Sequence, residues 1–254
     1  MDTEQLFQTQ YAAYLSRLKT HFHSALTWMM VLSVLLGSVF FAQERWFDTA
    51  RFAIVPQTAA GLIGVLTAPL LHGSFEHLAS NVFAFLVIGT IALTLYPRAS
   101  LRAWPIIWLG SGLGTWFISL GGHHIGASGL TVGLMFFLIG QGLRRRDKTS
   151  LVGLMLALFF FGGMVLSVLP REQGISWEYH LSGAVFGLLC GLAMSSLDES
   201  APRRLYSWDI EPDEPLALDA NELDLPKPTD VPIVWLRPES PSRGTVLPFK
   251  RPDN

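Results

Sequence analysis

Gly126-Ala127-Ser128-Gly129 heads the apolar run from Leu130 to Leu143. A serine hydroxyl there can act as a nucleophile if a base reaches it. His180 opens a second apolar run, Trp177 to Leu197, and His77 and Asn81 open a third, His77 to Tyr96. His77 and Asn81 are one helical turn apart and share a face. Hydroxyl, imidazole and amide together suit acyl transfer, with donors available for a developing oxyanion. The free backbone N–H groups of a helix starting at Ser128 would add to those donors. Gly126 would let a substrate backbone come close, and Ala127 beside it belongs to the same substrate-stabilising stretch.

No one of these strings is decisive. Small residues in an apolar helix mostly serve packing, and a lone histidine in a span is more often structural or part of an ion path. The weight comes from the elements that carry them. Half of the 254 residues are apolar and 15% are charged, against about 25% charged in a soluble domain. The apolar mass lies in long blocks between residues 25 and 197. The pattern predicts an all-α polytopic membrane protein. Its six spans are Ala25–Ala42, His77–Tyr96, Trp104–Leu120, Ser128–Leu143, Ser150–Leu169 and Trp177–Leu197.

Residues 1–24 hold no signal-peptide h-region. Phe7, Tyr11, Tyr14, Leu15, Leu18 and Phe22 recur at helical spacing, which predicts an amphipathic helix on the membrane surface. Arg17, Lys19, Arg98, Arg102, Arg144, Arg145, Arg146, Lys148, Arg203 and Arg204 fall in inner segments, while the outer loops carry only Arg45, Arg51 and Arg171. That bias places both termini in the cytoplasm, and a bacterial inner membrane is the expected location. The first outer loop, Gln43 to Glu76, has an apolar second half broken by Gly61, Gly64 and Pro69. It is expected to be partly submerged and to need protein contacts for its backbone. Residues 198–254 are rich in proline and acidic residues and predict an extended or disordered cytoplasmic tail, with Val231–Leu236 a short strand or docking motif.

The charge of −2 gives no reason to expect a nucleic-acid partner. Cys190 is the only cysteine, so no internal disulfide and no cysteine metal site can form. His123 and His124 have no evident third ligand, and with His72 they are taken as loop or interfacial residues. No metal or organic cofactor is called for. The oligomeric state is not encoded in any visible pattern.

Depth links the polar groups. Asn81 and Ser128 each lie roughly 24 Å above the inner boundary charge of their spans, and His180 roughly 27 Å. All three fall in one layer just beneath the outer surface of a core about 30 Å thick. Gly129 and Gly133 on one span, and Gly183, Gly187 and Gly191 on the other, form small-residue faces that allow close helix approach. Packing those faces would bring Ser128 beside His180.

The chain resembles the rhomboid intramembrane serine proteases over residues 25–197. The resemblance rests on H-x-x-x-N at His77–Asn81, G-x-S-G at Gly126–Gly129 and H-x-x-G-x-x-x-G at His180–Gly187; His72 also matches a recurring position. It implies a six-helix bundle with a short central fourth helix. It also implies Ser128 as nucleophile, His180 as base and then acid, and an oxyanion hole from His77, Asn81 and the Ser128 N–H. With no aspartate to orient His180, this would be a dyad. Val132 stands where well-known bacterial members place a tyrosine against the histidine, so Tyr179 or Trp177 is expected to hold the ring. The first-loop Trp-Arg pair of the family appears reversed, as Arg45-Trp46.

The expected activity is cleavage of single-pass transmembrane proteins near their outer ends, with the substrate strand entering between the second and fifth spans. The narrow glycine-walled pocket favours a small residue on the acyl side of the bond. A catalytically silent rhomboid-like binder or chaperone of membrane helices is the alternative, although such proteins typically lack the serine or the histidine. A transporter would call for carboxylates in the spans, and none lies between Asp147 and Arg171 or in the cores of the first four.

Overall fold

No glycine or proline interrupts residues 3 to 36, and the chain there forms one continuous helix, α1 (Thr3–Trp46). Its 44 residues make it roughly 66 Å long. The separate surface helix expected over residues 1–24 is therefore not seen. No breaker divides it from the following span, so the two share one axis. The computed structural model describes residues 3–170, 176–204 and 206. Arg171 and the tail beyond residue 206, including Val231–Leu236, lie outside the described residues.

Helix α2 (Phe75–Leu95) is capped by Ser74, whose Oγ accepts the His77 N–H at 3.1 Å. It ends before Pro97, which opens α3 (Pro97–Ile118) at its first position. Helices α4 (Ser128–Arg145) and α5 (Lys148–Phe161) are separated by Arg146 in the left-handed region and by Asp147, which caps α5 through Ser150. A 3₁₀ segment, Gly162–Val168, extends α5, and α6 (Trp177–Ala193) follows. Among the described residues, three helical stretches are long and apolar enough to cross a membrane: Thr3–Gln43, Phe75–Leu95 and Lys148–Val168. Among the described residues there is no strand, only an antiparallel bridge between Ile54 and His124.

The core gathers around α4. Leu130, Leu134, Met135, Phe137 and Leu138 are buried with Phe85 and Ile88 of α2, Tyr96, and Ala103 and Ile107 of α3. Against α6 the contact is backbone on backbone. A methyl group added to Gly183 or Gly187 would run into the carbonyl oxygen of Gly129 or Gly133, and one added to Gly191 into that of Phe137. The small-residue faces thus pack together as their spacing suggests.

The first loop is a chain of 3₁₀ and helical turns that leans on α3. Trp108 Nε1 donates to the Val65 carbonyl at 3.2 Å, and Trp116 Nε1 donates to the Thr58 carbonyl at 2.8 Å. Gly61 and Gly64 let two passes of its backbone touch, since a Cβ on either would strike the backbone of Val55 or Ala53. At the opposite end of the helices, Asp198 accepts the N–H groups of Arg98 and Ala99 at 2.9 Å each. Arg145 binds the carbonyls of Ser195 and Asp198 and pairs with Asp147. Asp198, the first residue assigned to the tail from composition, is therefore tied to α3 and α4.

Candidate active site

Ser128 is the first residue of α4, after Ala127 at the cap position. The Ala127 carbonyl accepts the N–H groups of Leu130 and Thr131. Those of Ser128 and Gly129 have no partner in the helix, as expected at a helix start. The preceding loop hangs from the loop that follows α1. His124 exchanges both backbone hydrogen bonds with Ile54 at 3.0 Å, and the Gly126 N–H donates to the Ala68 carbonyl at 2.8 Å.

Ser128, His180, His77 and Asn81 all line one cavity of about 870 Å³. Its wall on the α2–α5 side carries Phe83 and Phe161, with ring centroids 5.6 Å apart, and Phe160. Ser80, Thr131, Ser167 and Ser176 add hydroxyls to the lining. The structure thus gathers Ser128, His180, His77 and Asn81 in one chamber, but Gly126 and Ala127 are not in its lining, Ala127 being 1% exposed in the core, and the dyad is not joined. Ser128 Oγ makes no hydrogen bond to His180, whose ring has one among the described residues, from Nδ1 to the Ser167 carbonyl at 3.3 Å. Catalytic hydrogen bonds often close only when substrate binds. The Ser167 bond fixes the tautomer in the useful sense: a proton on Nδ1 leaves Nε2 as the acceptor.

The support for His180 is therefore neither Tyr179 nor Trp177. Tyr179 is fully buried and lies over Gly129, where an added Cβ would come within 2.7 Å of its ring. Val132 is buried in the core. The support comes instead from the 3₁₀ segment after α5, through a backbone carbonyl that no residue type announces.

Asn81 is 3% exposed, and its Nδ2 donates to the His77 carbonyl at 2.9 Å. The second amide hydrogen is left for a ligand. Gly126 has φ +109°, and a Cβ on it would enter the His77 ring. The group that needs Gly126 to be small is thus His77 itself, where a substrate backbone was expected. Gly126→Ala should displace His77 and strain the loop, lowering any activity of the site by about 100-fold, as turnover of a model substrate would show.

Gln43 at the end of α1 clamps the backbone N–H and carbonyl of His72. The His72 ring then stands edge-on to His77 with centroids 5.2 Å apart. Burial, and secondarily His77, hold its pKa at about 4, against 6.5 ordinarily. The unfolded chain takes up this proton near 6.5 and the folded chain only near 4. Stability from this group is complete above 6.5 and is lost as pH falls toward 4, by at most about 1.4 kcal/mol per pH unit. Thermal unfolding in detergent should show this slope in the wild type and a shallower one in His72→Phe.

Among the described residues, no three His, Cys, Asp or Glu side chains converge as a metal site would require. His124, read as a plain loop residue, is instead buried and hydrogen-bonded through both ring nitrogens. The nearby serines and Glu178 were not singled out by spacing, because their partners lie as many as 59 residues away.

Residues 59–197 match the Rhomboid domain family. An uncharacterized protein of Mycobacterium tuberculosis is 38% identical over 157 residues, covering 58% of this chain and 65% of its own. One from Mycobacterium leprae is 34% identical over 144 residues, covering 53% and 57%. The matches thus span less than two thirds of the mycobacterial proteins. A putative rhomboid protein of Acanthamoeba polyphaga mimivirus is 25% identical over 167 residues, covering 63% of this chain and 85% of the viral one.

Proposed function

Starting from the rhomboid family, to which this chain belongs, we propose that this integral membrane protein is an intramembrane serine endopeptidase. The observation that carries the reading is the single chamber holding Ser128 at a helix start, His180 with its Nδ1 engaged, and His77 and Asn81. In this reading Ser128 Oγ attacks a substrate carbonyl and His180 Nε2 takes its proton. The Ser128 N–H, Asn81 and His77 face the oxyanion. His180 then protonates the leaving amine, and water admitted through the polar chamber hydrolyses the acyl-enzyme.

Helices α1 to α6 serve as the six spans, with α4 central and both termini on the cytoplasmic side of a bacterial inner membrane; α4, at 18 residues, is not the short helix that the resemblance implies. Single-pass membrane proteins are the substrates. They enter past Phe83 and Phe161 and present the scissile carbonyl to Ser128, with a small residue favoured on its acyl side. No metal or organic cofactor takes part.

The missing Ser128–His180 hydrogen bond favours a second reading, a catalytically silent binder of membrane helices. A fluorophosphonate probe separates the two. Wild-type protein in detergent should become labelled at Ser128, identified by peptide mass spectrometry, and His180→Ala should not. An unlabelled wild type would leave the binder.

A further inference from the structure

Two hydroxyls, one imidazole and one carboxylate form a second polar chain, of which His124 and Ser176 stand in the chamber wall. His124 Nδ1 lies 2.5 Å from Ser176 Oγ. His124 Nε2 lies 3.0 Å from Ser119 Oγ and 3.1 Å from the Gly121 carbonyl. Ser119 Oγ in turn donates to Glu178 Oε1 at 3.2 Å. A carbonyl only accepts, so Nε2 carries the ring proton. Burial lowers the pKa of His124, which keeps the ring neutral, so Nδ1 is an acceptor. The chain then runs from Ser176 O–H to Nδ1 and from Nε2–H toward Ser119 and the Gly121 carbonyl, while the Ser119 O–H has two acceptors, the Gly121 carbonyl at 3.1 Å and the Glu178 carboxylate at 3.2 Å.

Its position matters more than its composition. His124 lies four residues before Ser128, on the loop hung from Ile54 and Ala68. Ser176 lies four residues before His180, and its carbonyl accepts the N–H groups of Tyr179 and His180 at 3.1 and 3.2 Å. On the far side of the dyad, α4 and α6 are locked by Gly129 against Gly183 and Gly133 against Gly187. Two helices fixed only there could splay at their outer ends, where the dyad sits. The His124–Ser176 bond closes that end.

We propose that His124 and Ser176 form a tie that sets the separation of Ser128 and His180, making both of them positioning residues for the dyad. This rests on the serine-protease reading above. The tie predicts a rate effect without a binding effect, since it moves the dyad and leaves the α2–α5 entrance alone.

The test uses the full chain in detergent or liposomes. Ser176→Ala removes one half-buried oxygen and should leave the melting temperature unchanged. Its kcat on a model single-span substrate, and its rate of fluorophosphonate labelling at Ser128, should fall on the order of 10- to 100-fold with KM unchanged. Ser176→Thr, which keeps the hydroxyl, should restore both. The double variant His124→Ala/Ser176→Ala should be no slower than the slower single variant. Wild-type rates in Ser176→Ala, a change confined to KM, or a label found on Ser176 itself would overturn the tie. A wild type that takes no label fails differently: it overturns the protease reading, and the tie with it.

Discussion

Ser128→Ala is expected to abolish cleavage of a model single-span substrate, with a loss on the order of 10⁶-fold if the dyad behaves as other serine hydrolases do. The size of the loss follows from the chemistry. Without Oγ there is no acyl-enzyme, and the chamber offers only its oxyanion donors and substrate binding. The variant should fold normally, because Ser128 Oγ bonds to nothing that the fold requires; Thr131 Oγ1 donates to the Ser128 carbonyl, which alanine keeps. His180→Ala should lose a similar amount, and the double variant no more, since the two residues act as one unit. Gel analysis of substrate cleavage at matched protein levels gives the comparison. Persistent cleavage by Ser128→Ala would exclude this serine as the nucleophile.

The second large effect is structural. Gly187→Val should destabilise the protein by roughly 3 kcal/mol or more. Its Cβ would run into the Gly133 carbonyl, a backbone atom that cannot rotate away. Relief requires α4 and α6 to separate, and Ser128 and His180 ride on those helices. Thermal stability in detergent and probe labelling should therefore fall together. Gly37→Ala is the control: nothing lies within 4 Å of its added Cβ, and alanine favours the helix by up to about 1 kcal/mol. A Gly187→Val protein of wild-type stability would mean that the glycine faces do not meet.

Much of this was legible because residue type and period carry it. The glycine spacings of α4 and α6 announce a close contact whatever the partner. That Asn81, Ser128 and His180 line one chamber was anticipated by counting back to Pro97, Arg144 and Asp198. The continuity of α1 was legible too, in the lack of any glycine or proline before Gly37, but amphipathic spacing was read as a boundary. Other features were hidden for physical reasons. The Ser167 carbonyl is present at every residue, so sequence gives no sign of which one an imidazole will choose. The His124–Ser176 bond spans 52 residues and depends on how two loops meet. The reach of Asp198 back to Arg98 and Ala99 looks like tail composition until α3 and α6 are packed.

The partner of His180 has a genetic consequence. A carboxylate orienter would stand out in any alanine scan and would be held fixed by selection. A peptide carbonyl at Ser167 is supplied by any side chain at that position, so residue 167 can vary widely while the atom that matters stays in place. Loss-of-function screens built on side-chain replacement would pass over it. Changes to the path of the backbone through Gly162–Val168, such as a proline or a one-residue deletion, are the lesions that would reach it.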